Sequence, residues 1–372
     1  MNILKSYLKN GFELKNRIVM APMTRSRAIG NVPNDLMAGY YGQRAGAGLI
    51  ITEGTAPVPD ALGYPRIPGI FTHEQILGWR KVTERVQKEN TRIFLQLMHT
   101  GRIGHLDNLP EGAQLVGPSD IKAAGQIYTD TIGMQEHSVP KALAAFEVEQ
   151  VVEGFAIAAT NAIKAGFDGV EIHSANGYLL EQFLNPNVNV RNDKFGGNIL
   201  NRARIVLETT KKIAGAIGKE KTGIRFSPFS TLGDLQPYDA EQVHETYVYL
   251  AGELNKLDIS YLHFVMSPKI QEKTLQAIRE AFDNTIITSS GYTAETAEAA
   301  LSEGFADIIA FGRAFLSNPD YVRRIEHNAP LNQVDFSTLY TPGQTGYTDY
   351  PVMDLISNEH RDDQAPESYV LL

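Results

Sequence analysis

His173, Asn176 and Tyr178 have the types and spacing that handle an oxygen gaining negative charge. Two hydrogen-bond donors side by side suit the binding of a carbonyl oxygen. A tyrosine hydroxyl beside them suits proton donation. Each one alone fits a satisfied structural side chain better than a functional one. As a set at the end of residues 169–175 (GVEIHSA), they point to function. Arg225, in residues 222–228 (TGIRFSP), has the strand parity to aim into the same space. A cation buried there requires an anionic partner, and a structural salt bridge is the competing reading. Gly291 and the pair Gly312-Arg313 supply what a phosphate needs: close backbone approach, free N–H groups and a guanidinium fork. The same glycines also fit ordinary turns.

Positioning these groups requires strands that end together. Eight short apolar runs recur, at residues 17–23, 48–55, 92–99, 169–175, 222–228, 259–265, 285–291 and 307–313. Most are near-continuous, as parallel strands covered on both faces are. Helical stretches separate them. Thr72 with Gln75 forms a capping box, residues 147–164 end at Gly166, and Asp239 with Gln242 opens another helix. The alternation predicts an α/β chain forming a single (β/α)8 TIM barrel, one domain over residues 1–372. No GxGxxG follows an early strand, which argues against a doubly wound sheet. Asn10-Gly11 predicts an N-terminal β-hairpin plugging the N-terminal mouth. Residues 100–144 are too long for a bare connection and predict an excursion after strand 3 that covers the site. The tail beyond Pro330 lacks periodicity and reads as decoration.

Composition narrows the chemistry. With 34 Lys plus Arg against 43 Asp plus Glu, the net charge is −9, which argues against nucleic acid and anionic membrane as partners. There is no cysteine, and so no disulfide, thiolate nucleophile or iron–sulfur cluster. No secretory apolar core or membrane-spanning run is present, so a cytoplasmic location is expected. No HExxH and no carboxylate cluster sits at the strand ends, so no metal is expected. Glu53 and Glu171 could be argued as a glycosidase pair. Glu171 shares parity with His173, and a buried carboxylate paired inside the barrel is at least as good a reading.

The motifs Ala21-Pro22-Met23-Thr24-Arg25, Gln96-Leu97 with His99-Thr100-Gly101-Arg102, the stretch 173–180 (HSANGYLL) and Phe311-Gly312-Arg313 together resemble the old yellow enzyme family of flavin-dependent ene-reductases. The resemblance spans nearly the whole chain. It implies non-covalent FMN on the barrel, reduced by NADPH or NADH, with an α,β-unsaturated carbonyl, or by resemblance a nitro compound, as the substrate. Pro22, Met23 and Thr24 would contact the flavin ring, Gly54 and Gln96 its pyrimidine edge, and Arg225 its N1 and O2. Ser290, Gly291, Gly312 and Arg313 would hold the phosphate. His173 and Asn176 would bind the substrate oxygen while Tyr178 delivers a proton to Cα. Thr24 resembles the threonine-bearing branch. Met98 stands where relatives often carry tryptophan. Tyr64, Tyr292 and Tyr350 are further substrate-lining candidates, with Tyr350 matching the family best. A monomer or homodimer is expected. Two alternatives stand beside this: a Schiff-base lyase using Lys269, and a flavin- or sugar-phosphate-binding barrel without catalysis.

Overall fold

All eight runs become barrel strands in the computed structural model, which describes residues 1–353. They are β1 Ile18–Met20, β2 Leu49–Ile51, β3 Arg92–Leu97, β4 Gly169–Ser174, β5 Thr222–Phe226, β6 Tyr261–Val265, β7 Thr285–Ser289 and β8 Ile308–Phe311. Each pairs in parallel with the next in sequence, and β8 closes on β1. Closure leaves no edge strand, and the strands are buried on both faces. Packed outside are α1 Asp35–Gln43, α2 His73–Gln87, α3 Ala145–Lys164, α4 Leu179–Leu184, α5 Ile199–Ile217, α6 Ala240–Lys256, α7 Glu272–Ala281, α8 Ala294–Ser302, α9 Arg313–Ser317 and α10 Tyr321–Glu326. None of the described helices is long and apolar enough to cross a membrane.

Local chemistry sets the ends of these elements. Thr72 accepts the Gln75 N–H while Gln75 accepts the Thr72 N–H, a reciprocal cap that starts α2. Asp239 accepts from Gln242 N–H to start α6. Gly166, at φ 91, supplies the left-handed residue that ends α3.

The hairpin turns at Asn10 (φ 48) and Gly11 (φ 80), the two positive angles that a tight two-residue turn demands. It drives Phe12 into the base of the barrel, with ring centroids 6.1 Å from Phe94 and 5.8 Å from Tyr261. Tyr7 hydrogen-bonds Thr285 at 2.9 Å beside it. The same buried cluster continues through Leu14, Val19, Leu49, Ile287 and Ile308 and seals that end. Phe12→Ala should therefore cost about 3–5 kcal/mol of stability, read as a lower urea midpoint. Ligand affinity at the opposite end should be unchanged.

Residues 100–144 form the expected excursion, carrying an antiparallel hairpin, Gln126–Thr129 with Gly133–Glu136. The tail is more than decoration. It folds back across the C-terminal end of the barrel and is held there through its main chain. Arg25 donates to Leu339 O (3.1 Å) and Gly346 O (2.7 Å). Arg27 donates to Thr338 O (2.8 Å) and Thr345 O (3.1 Å). Both guanidiniums lie over the Tyr347 ring, which stacks on Tyr40 at 4.0 Å.

Candidate functional site

Strand register brings the chemistry together. His173 on β4 lies beside Arg225 on β5, which lies beside His263 on β6. One pleat below His173, Glu171 accepts hydrogen bonds from Gln96 Nε2 (2.8 Å) and the Tyr261 hydroxyl (3.2 Å), and its Oε2 lies 2.8 Å from His263 Nδ1. The other nitrogen of His263 lies 3.1 Å from Ser289 Oγ. Arg225 reaches Ser289 Oγ at 3.5 Å, while its Nε is buried with no partner. Burial depresses the Arg225 pKa, and the Glu171 carboxylate opposes that shift.

Above this network opens a cavity of about 840 Å³, lined by Pro22, Thr24, Gly54, Gln96, Met98, His173, Asn176, Tyr178 and Arg225. Tyr64 also faces it, while the Gln126–Thr129 hairpin and residues 336–342 of the tail form its rim. The volume lies within the range of small-molecule and cofactor sites. Gly54 has a second reason to be glycine: a Cβ there would lie 2.4 Å from Met98 Sδ.

The protonation states follow from packing. His173 Nδ1 accepts the Ala175 N–H at 3.2 Å, which leaves the proton on Nε2. Burial, with the nearby Arg225 charge, holds its pKa well below 6.5. His173 is thus a neutral donor at neutral pH. The Tyr178 hydroxyl donates to Tyr64 at 3.2 Å, and its ring meets His173 edge to face at 4.9 Å. Burial pushes the Tyr178 pKa well above 10, so the phenol keeps its proton.

Met23, Ser290, Gly291, Gly312 and Arg313 are not part of the cavity wall. They follow β1, β7 and β8, three neighbouring strands. Gly291 has φ 70, and a Cβ there would meet nothing within 4 Å; at Gly312 it would meet only Met23 Sδ, at 3.6 Å. Arg313 is exposed and has no carboxylate partner among the described residues. An open corner with a free cation suits a phosphate. The Arg225 guanidinium, in the cavity wall with its Nε unpartnered, suits the electron-rich edge of a flavin ring. The residues present fit FMN.

Other candidates fall elsewhere. Tyr350 lies outside the cavity, its hydroxyl accepting the Asp335 N–H at 2.9 Å; Tyr340 and Phe336 stand in the wall instead. Tyr292 packs against the hydrophobic core. Lys269 is exposed beyond β6, and none of the described lysines lines the cavity, so the imine reading finds no support there. Glu53 does not converge with Glu171. It accepts from the Arg25 N–H and the Tyr41 hydroxyl in a separate buried cluster.

The chain matches the family described as NADH:flavin oxidoreductase / NADH oxidase over residues 7–332. It is 40% identical to 12-oxophytodienoate reductase 1 of Oryza sativa subsp. japonica, across 96% of this chain and 95% of that protein. Among solved structures it is similar to morphinone reductase in complex with tetrahydroNAD, with TM-score 0.91 and 42% identity over 97% of this chain and 99% of that one. The old yellow enzyme homologue from Zymomonas mobilis superposes with TM-score 0.89 and 38% identity, covering 95% and 100% of the two chains. With the barrel, the donor set and these relatives in agreement, the chain belongs to the NADH:flavin oxidoreductase / NADH oxidase family, that of the old yellow enzymes.

Proposed function

We propose that this chain, an NAD(P)H-dependent flavin oxidoreductase and alkene reductase by family, reduces the C=C bond of α,β-unsaturated carbonyl compounds in the cavity above Arg225. The observation that carries the reading is the pairing of one unsatisfied buried cation with one neutral histidine donor in the same cavity. Bound FMN supplies the electron pair, as hydride, and NADPH or NADH replenishes it. Gly54 and Gln96 would hold the pyrimidine edge of the flavin with Arg225 at its N1 and O2, Pro22, Met23 and Thr24 would contact its ring, and Ser290, Gly291, Gly312 and Arg313 would hold its phosphate.

The protein's own work is placement and charge. His173 Nε2–H and the Asn176 amide hold the substrate oxygen and favour negative charge on it, which makes the alkene electrophilic. Tyr178 keeps a proton at neutral pH and delivers it to the α-carbon. Thr24 marks the threonine-bearing branch, and the compact Met98 leaves room for broad substrates, nitro compounds among them. We read the chain as one domain, a monomer or homodimer, working in the cytoplasm where soluble NAD(P)H is available.

Purified protein should be yellow, bleach under NADPH without oxygen, and regain its colour when cyclohex-2-enone is added. A folded but colourless protein that takes up no FMN overturns the assignment.

A further inference from the structure

Asn176 and Tyr178 belong to a loop whose backbone is held in an uncommon shape. Asn176 has φ 57 and Gly177 φ 81, consecutive left-handed residues that an Asn-Gly pair adopts at little cost, so what the surroundings must supply is the place of the turn and not its shape. The restraint converges on one side chain. Glu181, in the first turn of α4, accepts the Gly177 N–H at 2.6 Å through one oxygen. Its other oxygen accepts the Ser227 hydroxyl at 2.7 Å and the Tyr247 hydroxyl at 3.4 Å. Ser227 Oγ in turn accepts the Asn176 N–H at 2.7 Å. Two consecutive loop amides therefore end at one carboxylate, one directly and one through a hydroxyl. A plain capping glutamate would take the N–H of the N-cap residue, Tyr178; this one reaches a residue further back.

We propose that Glu181 is a positioning residue for substrate binding: through Gly177 and Ser227, its carboxylate fixes the Asn176 amide and the Tyr178 hydroxyl where the substrate oxygen and α-carbon require them. This rests on the reading of His173 and Asn176 as the oxygen-binding pair.

The shell around Glu181 makes the role pH-dependent. Three donors converge on the carboxylate, so the ionised form is fully complemented. A protonated carboxyl must turn one of those hydroxyls around, loosening the loop. Burial pushes the Glu181 pKa up to about 7, so this exchange falls in the neutral range. The other titratable groups facing it are Tyr247, raised well above 10, and Tyr238, pushed up to about 12. Lys269 lines the same narrow cleft from the loop after β6. Burial holds His173 well below 6.5 and lowers His263, against the opposing pull of the Glu171 carboxylate.

The test titrates the oxidised, FMN-loaded enzyme with cyclohex-2-enone, an oxygen ligand with no ionisable group, and reads Kd from the flavin absorbance. Wild type should bind about tenfold more tightly at pH 8.5 than at pH 6, because a hydrogen bond to a charged acceptor is replaced on acidification. Glu181→Gln should flatten this profile and weaken binding at pH 8.5 by about tenfold. Ser227→Ala, which removes the link to Asn176 together with one of the three donors to Glu181, should weaken binding severalfold while the direct Gly177 contact keeps a pH dependence of the same sign. It decides the matter should the Gln variant fail to fold. An unchanged profile in Glu181→Gln, or wild-type affinity in Ser227→Ala, overturns the positioning role. A wild-type enzyme that binds neither phenol nor enone overturns the oxygen-binding reading, and with it this proposal.

Discussion

Replacing His173 with alanine and Asn176 with glycine leaves a folded, yellow protein that no longer holds the oxygen of an enone. Glycine is the choice at Asn176 because the residue sits at φ 57, where an alanine Cβ would add strain of about 1 kcal/mol. Each donor to a developing oxyanion contributes roughly 10²–10³ in rate. Paired donors act as a unit and their effects do not multiply cleanly. The expected loss in kcat/KM for cyclohex-2-enone is therefore about 10⁴-fold. Phenol affinity should vanish with it, because the same two donors hold any oxygen placed there. FMN content should remain, since Arg225 and the corner at Ser290, Gly291, Gly312 and Arg313 are untouched. An unchanged enone Kd would remove both residues from the substrate site.

Tyr178→Phe separates proton delivery from everything else in the cavity. Phenylalanine keeps the edge-to-face contact with His173 and loses only the hydroxyl and its bond to Tyr64. General-acid catalysis by a placed side chain contributes roughly 10²–10⁴, so reoxidation of the reduced enzyme by enone should slow by about that factor. Bleaching by NADPH should proceed at the wild-type rate, because that step takes no proton from Tyr178. Stopped-flow absorbance resolves the two. Equal slowing of both steps would mean that the tyrosine only shapes the cavity. Tyr64, 3.2 Å away, is the nearest replacement donor. Any residual rate should fall further in the Tyr64→Phe, Tyr178→Phe double variant.

The strands were legible because burial on both faces writes a continuous apolar run into each, and those runs end at His173, Arg225 and Gly312 without help from tertiary detail. The hairpin was legible for a different reason: Asn10-Gly11 is a local conformational demand. What escaped was set by contacts distant in sequence. The tail carries no periodicity because its grip on the barrel runs through main-chain carbonyls, which any residue provides. Tyr340 was passed over in favour of Tyr350 because residue type cannot tell which turn of an irregular segment meets the cavity. Glu181 reads in sequence as an ordinary early-helix acid. Its meaning depends on Ser227, which arrives from another strand.

The manner in which that terminal strap is tied down has an evolutionary corollary. Arg25 and Arg27 grip peptide oxygens and, of the strap's side chains, only the Tyr347 ring and the Thr341 hydroxyl, so selection is free to rewrite Phe336 or Tyr340 without unfastening the strap. Substrate range can drift on one side of the chamber while the reducing machinery on the other stays put. Descendants of such a chain would diverge first in what they accept, and last in what they do to it.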